Sequence, residues 1–237
     1  MSFKVALCLS GQPRSYKKGY EYHKRNLLDH FDVDVFMHSW NDIGEETKAD
    51  LVNLYGSDNR KVESSFGLLG EHLLSAIDEF YSRIPNPQFP ARNTYRMFYS
   101  IRESKPDRMD NYDVIIRSRY DYALNVKLPL QETKVGKIYV PSDRMTPAHD
   151  FCADMFAFGT PKVMRSYMDT FYNLKKHYEN GVTMIGEDML AAQLKHHGLI
   201  GENMVYVNMA NPFPPGKYNG NWHSLIREDF TDWNKLR

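Results

Sequence analysis

The chain has 237 residues, with 30 Lys and Arg balanced by 30 Asp and Glu, for a formal net charge of zero. That balance argues against a general nucleic-acid binder, which carries a basic excess. A hydrophobic content of 42% and a charged content of 25% are those of an ordinary soluble globular protein, long enough to bury one sizeable core as a single α/β domain.

Phe3 to Leu9 (FKVALCL) is a short apolar run closed by Ser10-Gly11, and reads as the first strand. The run is too short for a signal peptide. Cys8, inside it, reads as a small core residue. Tyr16 to His30 carries Tyr20, His23, Leu27 and Leu28 on one helical stripe. Asp32 to Trp40 alternates Val33, Val35 and Met37 and predicts a second strand. Thr47 to Tyr55 predicts a short helix, with Asp42, Glu45 and Glu46 as its surface N-terminus. Phe66 to Ile84 places Leu69, Leu73, Ile77 and Phe80 at helical spacing, until Pro85, Pro87 and Pro90 stop it. Thr94 to Lys105, with Tyr95, Phe98 and Ile101, predicts another helix, followed by a strand over Asp113 to Arg117.

Lys137 to Val140 and Met155 to Phe158 read as strands, Lys162 to Tyr178 as a helix. Gly186 to His197 predicts a helix with Leu190 and Leu194 on its apolar side, ended by Gly198. Val205 to Asn208 is a late strand. Asn211 to Arg237 opens with prolines and ends in Trp222, Leu225, Ile226, Phe230 and Trp233, an ordered tail laid over the domain. Strand–helix alternation predicts a mainly parallel sheet with helices on both faces, a three-layer α/β architecture. Residues 1–125 would form one half, 126–210 the other, and 211–237 the tail.

Two cysteines, Cys8 and Cys152, make neither a disulfide framework nor a zinc site. No run approaches the ~20 apolar residues that span a bilayer. The expected compartment is a reducing cytoplasm. Aromatic residues reach 14%, which suits a sugar-handling surface or simply a tyrosine-rich core.

Ligands of such sheets sit beyond the carboxyl ends of the strands, and the polar signals fall there. In YDVIIRSRYDYAL, an apolar strand runs straight into Arg117, Arg119 and Asp121, which alternation puts on one face. Such charges are costly to bury without a ligand or partner ions. They suit a phosphate with a divalent metal, or an internal Arg–Asp salt bridge. The first strand leads into Ser10-Gly11-Gln12-Pro13-Arg14, where glycine allows close backbone approach and Arg14 can clamp a phosphate. A plain turn with a surface arginine is the alternative. The second strand leads into His38-Ser39-Trp40, where His38 is either a hydrogen-bonded structural histidine or a ligand-binding one. Trp40 is a candidate for stacking on a base or sugar. Lys175-Lys176 and His196-His197 read as solvated helix faces.

LSGQPR near the start, DVDVFMHSWN at the second strand, RSRYDY in mid-chain and GEDML later together resemble the small GT-A-type glycosyltransferases of polysaccharide assembly, over residues 3 to 208. The resemblance implies a Rossmann-like nucleotide-sugar fold and sugar transfer from a nucleoside-diphosphate donor to a glycan or other hydroxyl acceptor. It implies Mn2+ or Mg2+ on a D-x-D motif, of which Arg119-Tyr120-Asp121 keeps only the final aspartate. One carboxylate holds a hard cation poorly without further oxygen ligands. By the resemblance, Asp121 is the metal or diphosphate residue, and His223 completes the metal shell, with His149 competing. Ser10, Gly11, Arg14, His38, Arg117, Arg119 and Asp154 bind the donor; Asp150 is a weaker alternative to Asp154. Glu187 and Asp188, at a helix start, are the candidate catalytic bases, although acids there also simply stabilise the helix. A sugar nucleotidyltransferase or a non-catalytic nucleotide- or carbohydrate-binding module are the alternatives.

Overall fold

An apolar run buried on both sides becomes a central strand, and Lys4–Ser10 (β1) is buried at every residue after Lys4. The computed structural model describes residues 3–40, 43–57, 61–67, 75, 79, 91–141, 152 and 154–207. After β1 come Tyr16–His23 (α1), prolonged by a π-helical turn at Lys24–Leu28, then Asp32–Ser39 (β2) and Glu45–Tyr55 (α2). Val62–Phe66 (β3), Ala91–Glu103 (α3) and Val114–Ser118 (β4) follow. Ile138–Pro141 (β5), Phe156–Gly159 (β6), Pro161–Met168 (α4), Leu174–Glu179 (α5), Gly186–His196 (α6) and Met204–Val207 (β7) come next.

The strands form one seven-stranded sheet in the order β3-β2-β1-β4-β6-β5-β7. β1 is parallel to β2 and β4, β2 to β3, and β5 to β7; β6 is antiparallel to both β4 and β5. β6 alone therefore runs against the rest. This is an α/β, Rossmann-like fold. The chain builds β2 and β3 outward on one side of β1, then crosses to put β4 on the other. That reversal puts the topological switch point between β1 and β4, and ligands of open α/β sheets bind beyond the carboxyl ends of the strands at such a point.

Alternation divides the core. Val5, Leu7, Leu9, Val33, Val35, Met37, Val114 and Ile116 face one side, where they pack with Leu27, Leu28, Leu51 and Tyr55 from α1 to α2. Ala6, Cys8, Phe36 and Ile115 face the other, with Phe98 and Ile101 of α3, Met164 and Tyr167 of α4 and Leu190 of α6. Each such side chain contributes ~1.5–3 kcal/mol by leaving water. Helices thus cover both faces. No helix among the described residues is long and apolar enough to cross a membrane.

Several boundaries differ from the sequence reading. β3 has the sequence VESSF and is mostly exposed, so this edge strand carries no apolar periodicity; Phe66 closes it and does not start a helix. Ser75 and Glu79 are helical, while the rest of 68–90 lies outside the described residues. The helix read over 162–178 breaks at a 3-10 segment, Asp169–Asn173, where the Thr170 hydroxyl donates to the Tyr167 carbonyl at 2.7 Å. The helix read from Tyr16 leaves α-geometry at Lys24. Asn208 and the tail lie outside the described residues.

Candidate functional site

Three neighbouring strand ends deliver polar side chains to one face. Ser10 of β1 is the register partner of His38 of β2, and Cys8 of β1 is that of Arg117 of β4. Their alternation places Ser10, His38 and Arg117 under α3 and α4, with Cys8. These three are 1%, 1% and 2% exposed. Yet Ser10 Oγ, His38 Nε2 and Arg117 Nε and Nη1 have no hydrogen-bond partner among the described residues. A buried unsatisfied polar group costs about 1–3 kcal/mol, and a charged one more. These buried groups gather beside the switch point, and groups of this kind call for an explanation such as a ligand, a water or another partner.

Arg117 is the most demanding of them. Burial pulls its pKa down, opposed by the Tyr167 hydroxyl and the carboxylates of Asp154 and Asp121. No carboxylate of a described residue pairs with it within 4.0 Å. Arg119, by contrast, is satisfied. Its Nε and Nη2 donate to the two oxygens of Asp121, each at 2.8 Å, in a bidentate pair. Asp121 is fully buried in that pair, while the Arg119 side chain is 25% exposed. Burial alone would lower the Arg119 pKa, but Asp121 outweighs it and the shift is upward. Of the two readings of this segment, the internal salt bridge holds for Arg119 and Asp121; Arg117 is left over. Gly19 of α1 seats this segment: a Cβ there would lie 1.8 Å from the Tyr120 carbonyl oxygen.

His38 is held by a short network. Its Nδ1 is 2.8 Å from Ser100 Oγ of α3, which also accepts from the Gly11 N–H at 3.1 Å. Gly11 adopts φ 108°, which only glycine takes easily, and its carbonyl accepts from Ser39 Oγ at 2.9 Å. Tyr120 donates to the His38 carbonyl at 3.2 Å. Burial lowers the His38 pKa to about 4, so the ring is neutral at pH 7. Trp40 is not free to stack on a ligand. Tyr99 lies against one side at 5.8 Å and 24°, and the Arg96 guanidinium sits 4.4 Å from the ring centre.

Acids approach from α6. A Cβ at Gly186 would stand 3.2 Å from Asp154 Oδ2, so this carboxylate lies at the start of α6, where the helix dipole favours it. Burial, then Asp154 and Glu187, push the Cys152 thiol up, which puts both acids near one buried cysteine. Cys8 and Cys152 are both free and buried. Asp188 accepts from the Thr183 hydroxyl, an ordinary role for an acid in a first helical turn. Arg14 is exposed on the turn after β1 and has no hydrogen bond to this cluster among the described residues.

Both Asp121 oxygens already accept from Arg119. Among the described residues no three His, Cys, Asp or Glu side chains gather as metal ligands. Mn2+ and Mg2+ both favour near-octahedral coordination by oxygens, which Asp121 alone does not supply. His149, Asp150, Trp222 and His223 lie outside the described residues.

Ser100, Tyr120 and Tyr167 are site-shaping residues that the sequence reading missed. The available signal was a hydroxyl on the buried stripe of an amphipathic helix, since Ser100 sits between Phe98 and Ile101. No family model matches this chain, and no curated protein matches it either.

Proposed function

We propose that the protein is a glycosyltransferase that moves a sugar from a nucleoside-diphosphate donor to a hydroxyl acceptor. The observation that carries the reading is the buried guanidinium of Arg117 at the switch-point edge of the sheet, whose Nε and Nη1 have no hydrogen-bond partner among the described residues. In such a transfer the acceptor oxygen bonds to the anomeric carbon as the bond to the diphosphate oxygen breaks. The electron pair leaves with the diphosphate, so cationic donors must already be in place there. Arg117 offers Nε and Nη1, neither with a hydrogen-bond partner among the described residues, to phosphate oxygens. Arg119, neutralised by Asp121, braces the segment. The acceptor proton goes to a carboxylate, which we assign to Glu187, with Asp154 holding sugar hydroxyls; Asp188 stays with Thr183. Two free buried thiols fit a reducing compartment, and we place the reaction in the cytoplasm.

The pairing of Asp121 with Arg119 favours a second reading, a nucleotide-binding module without turnover. Thermal-shift measurements with UDP, GDP and CMP, with and without Mn2+, test the shared part. At least one nucleotide should raise the Tm, and Arg117→Met should abolish the rise. Hydrolysis of the matching sugar nucleotide, lost in Glu187→Gln, separates enzyme from module. If no nucleotide shifts the Tm, both readings fail.

A further inference from the structure

The outer side of α4 carries polar chemistry that the site beneath it does not use. Val163, Met164, Tyr167 and Met168 are buried toward the sheet. At about 100° per residue, Lys162, Arg165, Ser166 and Asp169 fall on the opposite side of the helix. They line an open groove of about 390 Å³ between α4 and the C-terminal turn of α6, completed by Tyr172, Asn173, Gln193 and His197. That volume is within the range of small-molecule sites. The floor is fixed. Gln193 is fully buried; its Oε1 accepts from Asn173 Nδ2 at 3.1 Å and lies 2.9 Å from His177 Nε2, while its Nε2 donates to the Ser166 carbonyl at 2.9 Å. The walls are rich in donors. Lys162 is exposed and has no ion-pair partner among the described residues. Arg165 gives Nη2 to Asp110 at 3.0 Å, in a pair whose side chains are 46% and 78% exposed and so loosely held. The acid of the groove, Asp169, is already paired with Lys105. At the rim Tyr172 is 63% exposed. Phe171 meets its ring edge-on at 5.7 Å and 77°, and the Arg102 guanidinium lies 5.5 Å from its centre.

We propose that this groove binds a sugar unit bearing a carboxylate or a phosphate. The anionic group goes to Lys162 and Arg165, a point charge beside a planar fork that suits either anion. The C–H face of the sugar ring packs on the exposed ring of Tyr172, which is apolar in its body and wet at its hydroxyl. A neutral sugar lacks the first contact and an inorganic anion lacks the second, so the groove selects for both features in one molecule. α4 stands between this groove and the side chains that face Arg117, and a helix is about 10 Å across. The groove is therefore a second site, and binding there does not depend on the nucleoside-diphosphate reading.

Titration of the full chain with glucuronate, glucose 6-phosphate, glucose and inorganic phosphate, followed by amide 1H–15N NMR shifts, tests the proposal. Lys162→Glu and Tyr172→Ala are measured beside wild type, each with its Tm as the check that it folds. At least one acidic sugar should bind about tenfold or more tighter than glucose and than inorganic phosphate, and should shift the amides of Ser166, Tyr172, Asn173 and His197. Lys162→Glu should weaken that sugar about tenfold or more, the scale of one charged hydrogen bond. Tyr172→Ala should weaken the sugar severalfold and leave inorganic phosphate as it was. Preference for glucuronate assigns a carboxylated unit to the groove, and preference for glucose 6-phosphate a phosphorylated one. The proposal is overturned if neither acidic sugar binds more tightly than glucose, or if inorganic phosphate binds as well as glucose 6-phosphate and glucuronate. Shifts that gather around Ser10 and Arg117 and persist in Lys162→Glu overturn it equally, because the ligand would then occupy the strand-end site.

Discussion

His23 and His38 sit on opposite faces of one sheet, at 0% and 1% exposure, and burial lowers the pKa of each to about 4. By burial and by titration they are alike. They differ in what their nitrogens touch. His23 is saturated: Nδ1 lies 2.9 Å from the Tyr55 hydroxyl and Nε2 lies 3.2 Å from Ser118 Oγ, tying α1 to α2 and β4. His38 has one nitrogen engaged and one without a partner among the described residues. A perturbed pKa is therefore no guide to function here, because desolvation shifts a structural histidine as far as a binding one. Saturation is the better guide. The contrast extends to the faces themselves. On the α1–α2 face His23, Tyr55 and Ser118 close on one another, whereas on the α3–α4 face buried atoms of Ser10, His38 and Arg117 have no partner among the described residues.

Arg117→Met strains this contrast most. A buried charge without a partner weakens the folded state, and an apolar side chain of similar length relieves it. Nucleotide binding and sugar-nucleotide turnover should fall at least about 100-fold, the scale on which one donor to a developing oxyanion acts. Stability by urea denaturation should rise by ~1–3 kcal/mol in the same variant. A loss of stability alongside lost binding would mean that Arg117 is part of the scaffold. On the closed face the sign reverses. Gly19→Ala puts a methyl where the Tyr120 carbonyl oxygen stands, 1.8 Å away, and both atoms belong to backbone-fixed positions. About 3 kcal/mol or more of destabilisation follows from such overpacking. A neutral Gly19→Ala would show that α1 can lift off the β4 end freely.

How far the sequence discloses this division depends on how local each cause is. β1 was legible because a strand buried on both sides must be apolar where it is covered, and VALCL, Val5 to Leu9, is. Arg117 was legible because a charge ending an apolar run has few harmless places to go. β3 was not: VESSF is an exposed edge strand, and its membership is decided by pairing with Val35 through Ser39. The reversed direction of β6 was equally hidden, since MFAF reads the same either way and only contact with β4 and β5 fixes it. Alternation brought Arg117, Arg119 and Asp121 to one side but could not say which cation the single carboxylate would take. The contact of Ser100 with His38 arises only when α3 is folded against β2.

The shared titration gives the smallest and most direct test of the comparison. Both histidines have folded pKa values near 4, below the ordinary 6.5, so the unfolded chain binds more protons between those limits. Stability is therefore full above about pH 6.5, falls as the pH drops toward 4, and draws no further loss from these groups below that. Each histidine contributes a slope of about 1.4 kcal/mol per pH unit inside the window. His23→Phe should cost about 2 kcal/mol at pH 7.5, because the hydroxyls of Tyr55 and Ser118 lose their partner. It should also remove His23's share of the slope and leave that of His38. Urea denaturation at half-unit steps from pH 7.5 to 4.5 reads both numbers. Added nucleotide sharpens the outcome: a ligand on the His38 side should raise stability in wild type and in His23→Phe by the same amount, because the two rings answer to different faces. Unequal increments would mean that the faces communicate through β4, where Ser118 touches His23 one residue after Arg117.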